Sequence, residues 1–139
     1  VRKLFAAAAL VLALAGCTTH DNRVDALGDK IVTELEKRPE VSDASYVYKS
    51  GLDQGEHLIV KATVKQGEDS AAKDLAEFVI KETWLAPSAL HDVKAEIMNS
   101  AGTSIATDKL PLPFSPAAKA ANKDRYAELE SKYGPRPEK

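Results

Sequence analysis

The sequence predicts an α+β fold: an αββαββ sandwich with a four-stranded antiparallel sheet, two helices on one face and a further helix at the C-terminal end. Two features of the chain carry most of that prediction. Apolar residues recur at steps of three and four in two separate stretches, and each stretch is followed by two shorter ones in which apolar and polar residues alternate. The composition sets the scale: 139 residues, 44% hydrophobic and 29% charged, suit one domain with a packed core and exclude a collagen-like or low-complexity chain. A single Cys leaves no internal disulfide.

Between Arg23 and Arg38, the residues Val24, Leu27, Ile31, Val32 and Leu35 form the stripe of an amphipathic helix. Asp21 or Asn22 is placed to cap it and Pro39 to end it. Gly28 interrupts this helix at a cost of about 1 kcal/mol relative to Ala, which close packing would offset. Val41 to Lys49, with Tyr46, Val47 and Tyr48, and His57 to Lys65, with Leu58, Val60, Ala62 and Val64 on one side, read as a hairpin with one wet face. The stretch Ser50 to Glu56 joins them as a surface loop. Asp69 or Ser70 is placed to cap a second helix, whose buried stripe is Ala72, Leu75, Ala76, Val79, Ile80 and Thr83 and whose end is Trp84-Leu85 before Pro87. Val93, Ala95 and Ile97 alternate with Lys94, Glu96 and Met98 in a third strand, Asn99 to Gly102 supply a turn, and Thr103 to Lys109 offers a weaker fourth strand around Ile105. Pro111-Leu112-Pro113 reads as an extended linker. Beyond it Ala117 to Tyr133 forms a third helix capped by Ser115, with Tyr126, Leu129 and Tyr133 on one face and Glu128 paired with Lys132. Gly134-Pro135 stops that helix, and a disordered tail is expected to follow.

The amino-terminal stretch has a different logic. Arg2 and Lys3 precede an apolar run from Leu4 to Gly16, the layout of a secretory signal peptide. As a helix the run measures about 20 Å, short of the roughly 30 Å of a hydrocarbon core, so it suits export better than permanent spanning. Leu14-Ala15-Gly16-Cys17 resembles the lipobox of bacterial lipoproteins at all four positions. That resemblance implies cleavage between Gly16 and Cys17, a diacylglyceryl group and an acyl chain such as palmitate on Cys17, and a place at the extracytoplasmic face of the cell membrane. Two or three acyl chains anchor stably where one is marginal. The expected organisation is therefore a leader over residues 1–16, a lipidated tether over 17–22, the α+β domain over 23–110, and a Pro-rich linker, helix and tail over 111–139. The stretch from Pro39-Glu40-Val41 through Tyr46-Val47-Tyr48, a hydrophobic strand, a helix ending Trp84-Leu85 and a Val-rich strand is similar to small secreted or lipid-anchored actinobacterial proteins of no assigned activity. The element order also resembles the BON module, an envelope domain associated with phospholipid or protein contacts, although the Gly-bracketed strands of that family are absent.

Charge and motifs narrow the function classes. Removing the leader's two cations leaves 17 basic against 21 acidic side chains, a net of -4, which argues against a nucleic-acid partner. Residues 17–110 carry eleven basic and seventeen acidic side chains, whereas residues 111–139 carry six and four, so the tail is suited to fold back on the body. Phosphate-binding Gly loops, HExxH, paired CxxC, GxSxG and EF-hand spacings are all missing, and neither a cofactor nor a metal site is expected. His20-Asp21 and His91-Asp92 are the adjacent His/acid pairs, but each flanks an element where Asp is an ordinary cap or turn residue. His57 falls at a strand end, a solvated position. Tyr46 and Tyr48 share one strand face, either against the helices or exposed as a platform for a glycan or a partner, and Trp84 either fills the core or anchors a ligand. The expectation is a lipid-anchored, non-enzymatic binding module with an envelope protein or glycan as partner. The competing expectations are a small cell-wall enzyme or enzyme accessory using His57 or His91 with a nearby acid, and a structural spacer without a specific ligand.

Overall fold

The computed structural model describes residues 20–138. The leader and the lipobox residues Leu14, Ala15, Gly16 and Cys17 lie outside the described residues. The elements follow the predicted order: α1 (Asn22–Glu36), β1 (Val41–Lys49), β2 (His57–Val64), α2 (Ala72–Leu85), β3 (Asp92–Met98), β4 (Ser104–Pro111), α3 (Pro116–Ala121) and α4 (Lys123–Tyr133). The α+β class is as expected, with four strands in the spatial order β1-β2-β3-β4.

The expected antiparallel sheet is corrected to a mixed one. The outer pairs β1/β2 and β3/β4 are antiparallel hairpins, but the central strands β2 and β3 run parallel, in the register His57↔Asp92 through Thr63↔Met98. The reason is the length of α2. Fourteen helical residues cover about 21 Å, close to the ~26 Å of an eight-residue strand, so α2 carries the chain back along β2 and starts β3 at the end where β2 started. Two hairpins thus face each other across a crossover helix.

Strand alternation sets the two sides of the sheet. Leu58, Val60, Ala62 and Val64 of β2 and Val93, Ala95 and Ile97 of β3 are buried. They pack with Val24, Ile31 and Leu35 of α1 and with Leu75, Val79 and Ile80 of α2 in one core. The helix α1 lies against β1 and β2 and α2 against β3 and β4, and the two helices are tied by Lys30 and Glu82 at 2.6 Å. The other side of the sheet is polar: Lys61 and Lys94 reach Glu96 at 3.9 and 3.4 Å, and Lys109 reaches Asp92 at 3.6 Å. Exposed pairs of this kind add little stability and chiefly keep the face soluble.

The helix ends depart in detail from the sequence expectation. Asp21 caps α1 as predicted, its carboxylate accepting from the Arg23 backbone N–H. Neither Asp69 nor Ser70 caps α2, because the chain enters that helix through a 3-10 turn, Asp69–Ala71, with no capping side chain. The single C-terminal helix is two: Ser115 caps α3 through the Ala118 N–H, the helix stops at Asn122, and α4 restarts there. Lys132 pairs with Glu77 of α2 rather than with Glu128, which pairs with Arg125.

Candidate functional site

The two ends of the sheet differ in chemistry. At one end gather the start of α1, the Ser50 to Glu56 loop, the starts of β2 and β3, the end of β4 and the residues after it, and all three histidines lie there. His20 packs on the Tyr48 ring at 4.9 Å and pairs with Asp25 at 2.5 Å. His57 and His91 meet edge to face at 6.2 Å, and His91 stacks on Phe114 at 4.0 Å. Gly51 to Glu56 and His91 line an open groove of about 450 Å³ at this end.

Each side chain is held from behind by backbone. Gly55 adopts φ +77°, which lets the loop turn sharply beside His91 and His57. The Glu56 carbonyl accepts from the His91 N–H at 2.7 Å, pinning the β3 approach to the loop. Glu56 is 7% exposed and its carboxylate accepts a hydrogen bond from the Tyr48 hydroxyl, while the Tyr48 oxygen accepts from the Asp21 N–H at 3.0 Å. Burial and the Glu56 carboxylate push the Tyr48 phenol up to about 12, so it stays a neutral donor. Asp21 also accepts from the Ala89 N–H at 3.3 Å, and its hydrogen bond with the Arg23 guanidinium holds its carboxyl below the usual range.

A second His/acid pair at this end is His57 with Asp92. Nδ1 lies 3.0 Å from the Asp92 carboxylate and Nε2 contacts the Gln54 carbonyl, so both ring nitrogens face acceptors and the imidazolium is the form that satisfies both. Asp92 first, then the Gln54 carbonyl, raise the His57 pKa. Because the folded value lies above the unfolded one near 6.5, the pair contributes stability that is complete below that pH and is lost as pH rises through the folded value. The expected result by NMR is a His57 ring proton titrating above 6.5, and an Asp92→Asn variant in which it returns toward that value.

The groove is lined by Gly51, Leu52, Asp53, Gln54, Gly55, Glu56 and His91, with no hydroxyl or thiol among those described residues.

The aromatic candidates are placed as follows. Tyr46 and Tyr48 are half-buried on the α1 side of β1 and Val47 faces away at 48% exposure, so of the two placements the sequence left open the tyrosines take the one against the helices. Tyr46 explains Gly28: a Cβ there would meet three atoms of its ring at 2.7 to 2.8 Å, so the missing side chain is the seat of the ring. Trp84, 3% exposed, fills core rather than presenting a ligand anchor. It stacks on Tyr126 at 5.6 Å and donates from Nε1 to the Gly134 carbonyl at 2.9 Å. Arg136 crosses beside it and donates to the Thr83 and Trp84 carbonyls, both at 2.8 Å, closing the C-terminal end of α2. The described residues after α4, expected to be disordered, are thereby tied down through Arg136.

Sequence reasoning missed Glu56 and the meeting of the histidines. Glu56 is an acidic loop residue by pattern, and its burial follows only from the Tyr48 hydroxyl across the hairpin. Comparisons with protein-family models, with curated proteins and with solved structures gave no match.

Proposed function

We propose that this protein is a lipid-anchored extracytoplasmic envelope protein whose α+β domain serves as a non-enzymatic binding module at the membrane surface. The observation that carries the reading is the sequence Leu14-Ala15-Gly16-Cys17 behind a cationic, apolar leader, with the folded domain beginning at Asn22 only a few residues later. A domain on so short a tether works at high local concentration, so a weak contact with an envelope protein or glycan suffices.

Fractionation of a bacterial host tests the anchor. The native chain is expected in the membrane pellet and released by detergent, whereas Cys17→Ala is expected either in the soluble fraction or as a longer chain that keeps its leader; a Cys17→Ala chain of the same length and the same membrane distribution as the native one would refute the anchor. Crosslinking in intact membranes tests the module: a partner enriched with the native chain and lost with Cys17→Ala is expected, and recovery of lipid-processing machinery alone would favour the spacer reading.

A further inference from the structure

Among the described residues the exposed large apolar side chains are Val47, Leu52 and Phe114. Leu52, 83% exposed, is the apolar residue of the Ser50 to Glu56 loop, and Phe114, 45% exposed, is held against His91. His91 lines the groove together with Leu52, so two apolar groups project at one end of the sheet. The opposite end is made by Arg38 to Glu40, Lys65 to Asp69 and Asn99 to Thr103, turns of polar and charged residues without an exposed large apolar side chain. Isolated apolar residues on a surface need no explanation, but two at the end from which the chain leaves the domain do.

That end is fixed by His20 and Asp21. The His20 ring rests on Tyr48 and the Asp21 N–H donates to the Tyr48 hydroxyl, so the chain toward Cys17 departs beside the loop that carries Leu52. From Cys17 to His20 is three residues, a reach of about 10 Å when fully extended. A lipid on Cys17 therefore holds this end, not the polar one, against the headgroups.

We propose that the end bearing Leu52 and Phe114 docks the folded domain on the lipid bilayer, with both side chains in the interface and the opposite end turned to solvent. This rests on the anchor proposed above. Phe at the headgroup level and Leu at a loop tip are suited to such shallow insertion, and the Glu56 and Asp92 carboxylates nearby are engaged by Tyr48, His57 and Lys109. Docking leaves the polar sheet face and the far turns open to solvent, while the groove beside His91 meets the headgroups.

The test uses the full lipidated chain in vesicles of phosphatidylethanolamine and phosphatidylglycerol. Lipidation consumes the sulfur of the chain's single Cys, so Leu52→Cys, Phe114→Cys and, at the far end, Ser100→Cys each offer one thiol for an environment-sensitive fluorophore. The expected result is blue-shifted emission at 52 and 114, quenched by nitroxide-bearing lipids and several-fold less accessible to aqueous iodide than the label at 100. The mass of the Cys17 peptide from the same vesicles separates the two readings. A lipidated Cys17 with labels at 52 and 114 as open to iodide as at 100 overturns docking alone, and a Cys17 without lipid overturns docking and anchor together.

Discussion

Trp84→Ala is expected to lower stability by about 3–5 kcal/mol, a large part of the roughly 5–15 kcal/mol of an ordinary domain. The side chain fills the space between the end of α2 and α4, its ring stacks on Tyr126, and its Nε1 proton satisfies the Gly134 carbonyl. Removal opens a cavity and leaves that carbonyl without its donor. The loss also reaches the chain end, since Arg136 docks on the carbonyls of Thr83 and Trp84 beside the same ring. Urea unfolding followed by circular dichroism measures the effect, because Trp84 is the only Trp and the variant has no indole fluorescence. Trp84→Phe keeps the stack and is expected to cost far less. A Trp84→Ala loss below about 1 kcal/mol would mean that the C-terminal segment is not locked to α2 as described.

The second large effect is a reversal of sign. In an exposed helix Gly→Ala is favourable by about 1 kcal/mol, yet Gly28→Ala is expected to destabilise this protein by about 1–2 kcal/mol. The new methyl group would meet Cγ, Cδ2 and Cε2 of Tyr46, atoms at the root and edge of a ring that cannot swing away without leaving β1's inner side. In a Tyr46→Ala background the obstacle is gone, and the same Gly28→Ala change is expected to become stabilising. The double-mutant cycle should therefore show a coupling of about 2–3 kcal/mol between the two positions. Additive effects would contradict the packing of the ring on the glycine.

These two residues also show what the sequence made legible. The spacing of Val24, Leu27, Ile31 and Leu35 sufficed for α1, and the alternation in β2 and β3 sufficed for the strands, since each pattern reflects a local period set against one buried side. Gly28 was visible only as an irregularity, because its partner Tyr46 comes from the next element and nothing local names it. The parallel pairing of β2 and β3 was likewise out of reach: alternation fixes which side a residue faces, not the direction in which a neighbouring strand runs. Trp84 and Tyr126 were both legible as aromatics at helical positions, but their stacking depends on the break at Asn122, which turns α4 back onto α2. The candidate site was the least legible. His20, His57 and His91 are far apart in the chain and come together because α1 runs back along β1 and α2 back along β2. Glu56 reads as one more solvated acid until the Tyr48 hydroxyl is seen to bury it.

The proposed anchor at Cys17 would give the domain both its compartment and its orientation. Mass spectrometry of the N-terminal peptide from the membrane fraction of a bacterial host addresses it directly. The proposed anchor predicts a chain that begins at Cys17 and carries a diacylglyceryl group together with an amide-linked acyl chain. A chain that retains Val1 to Gly16, or begins elsewhere with Cys17 unmodified, would contradict it.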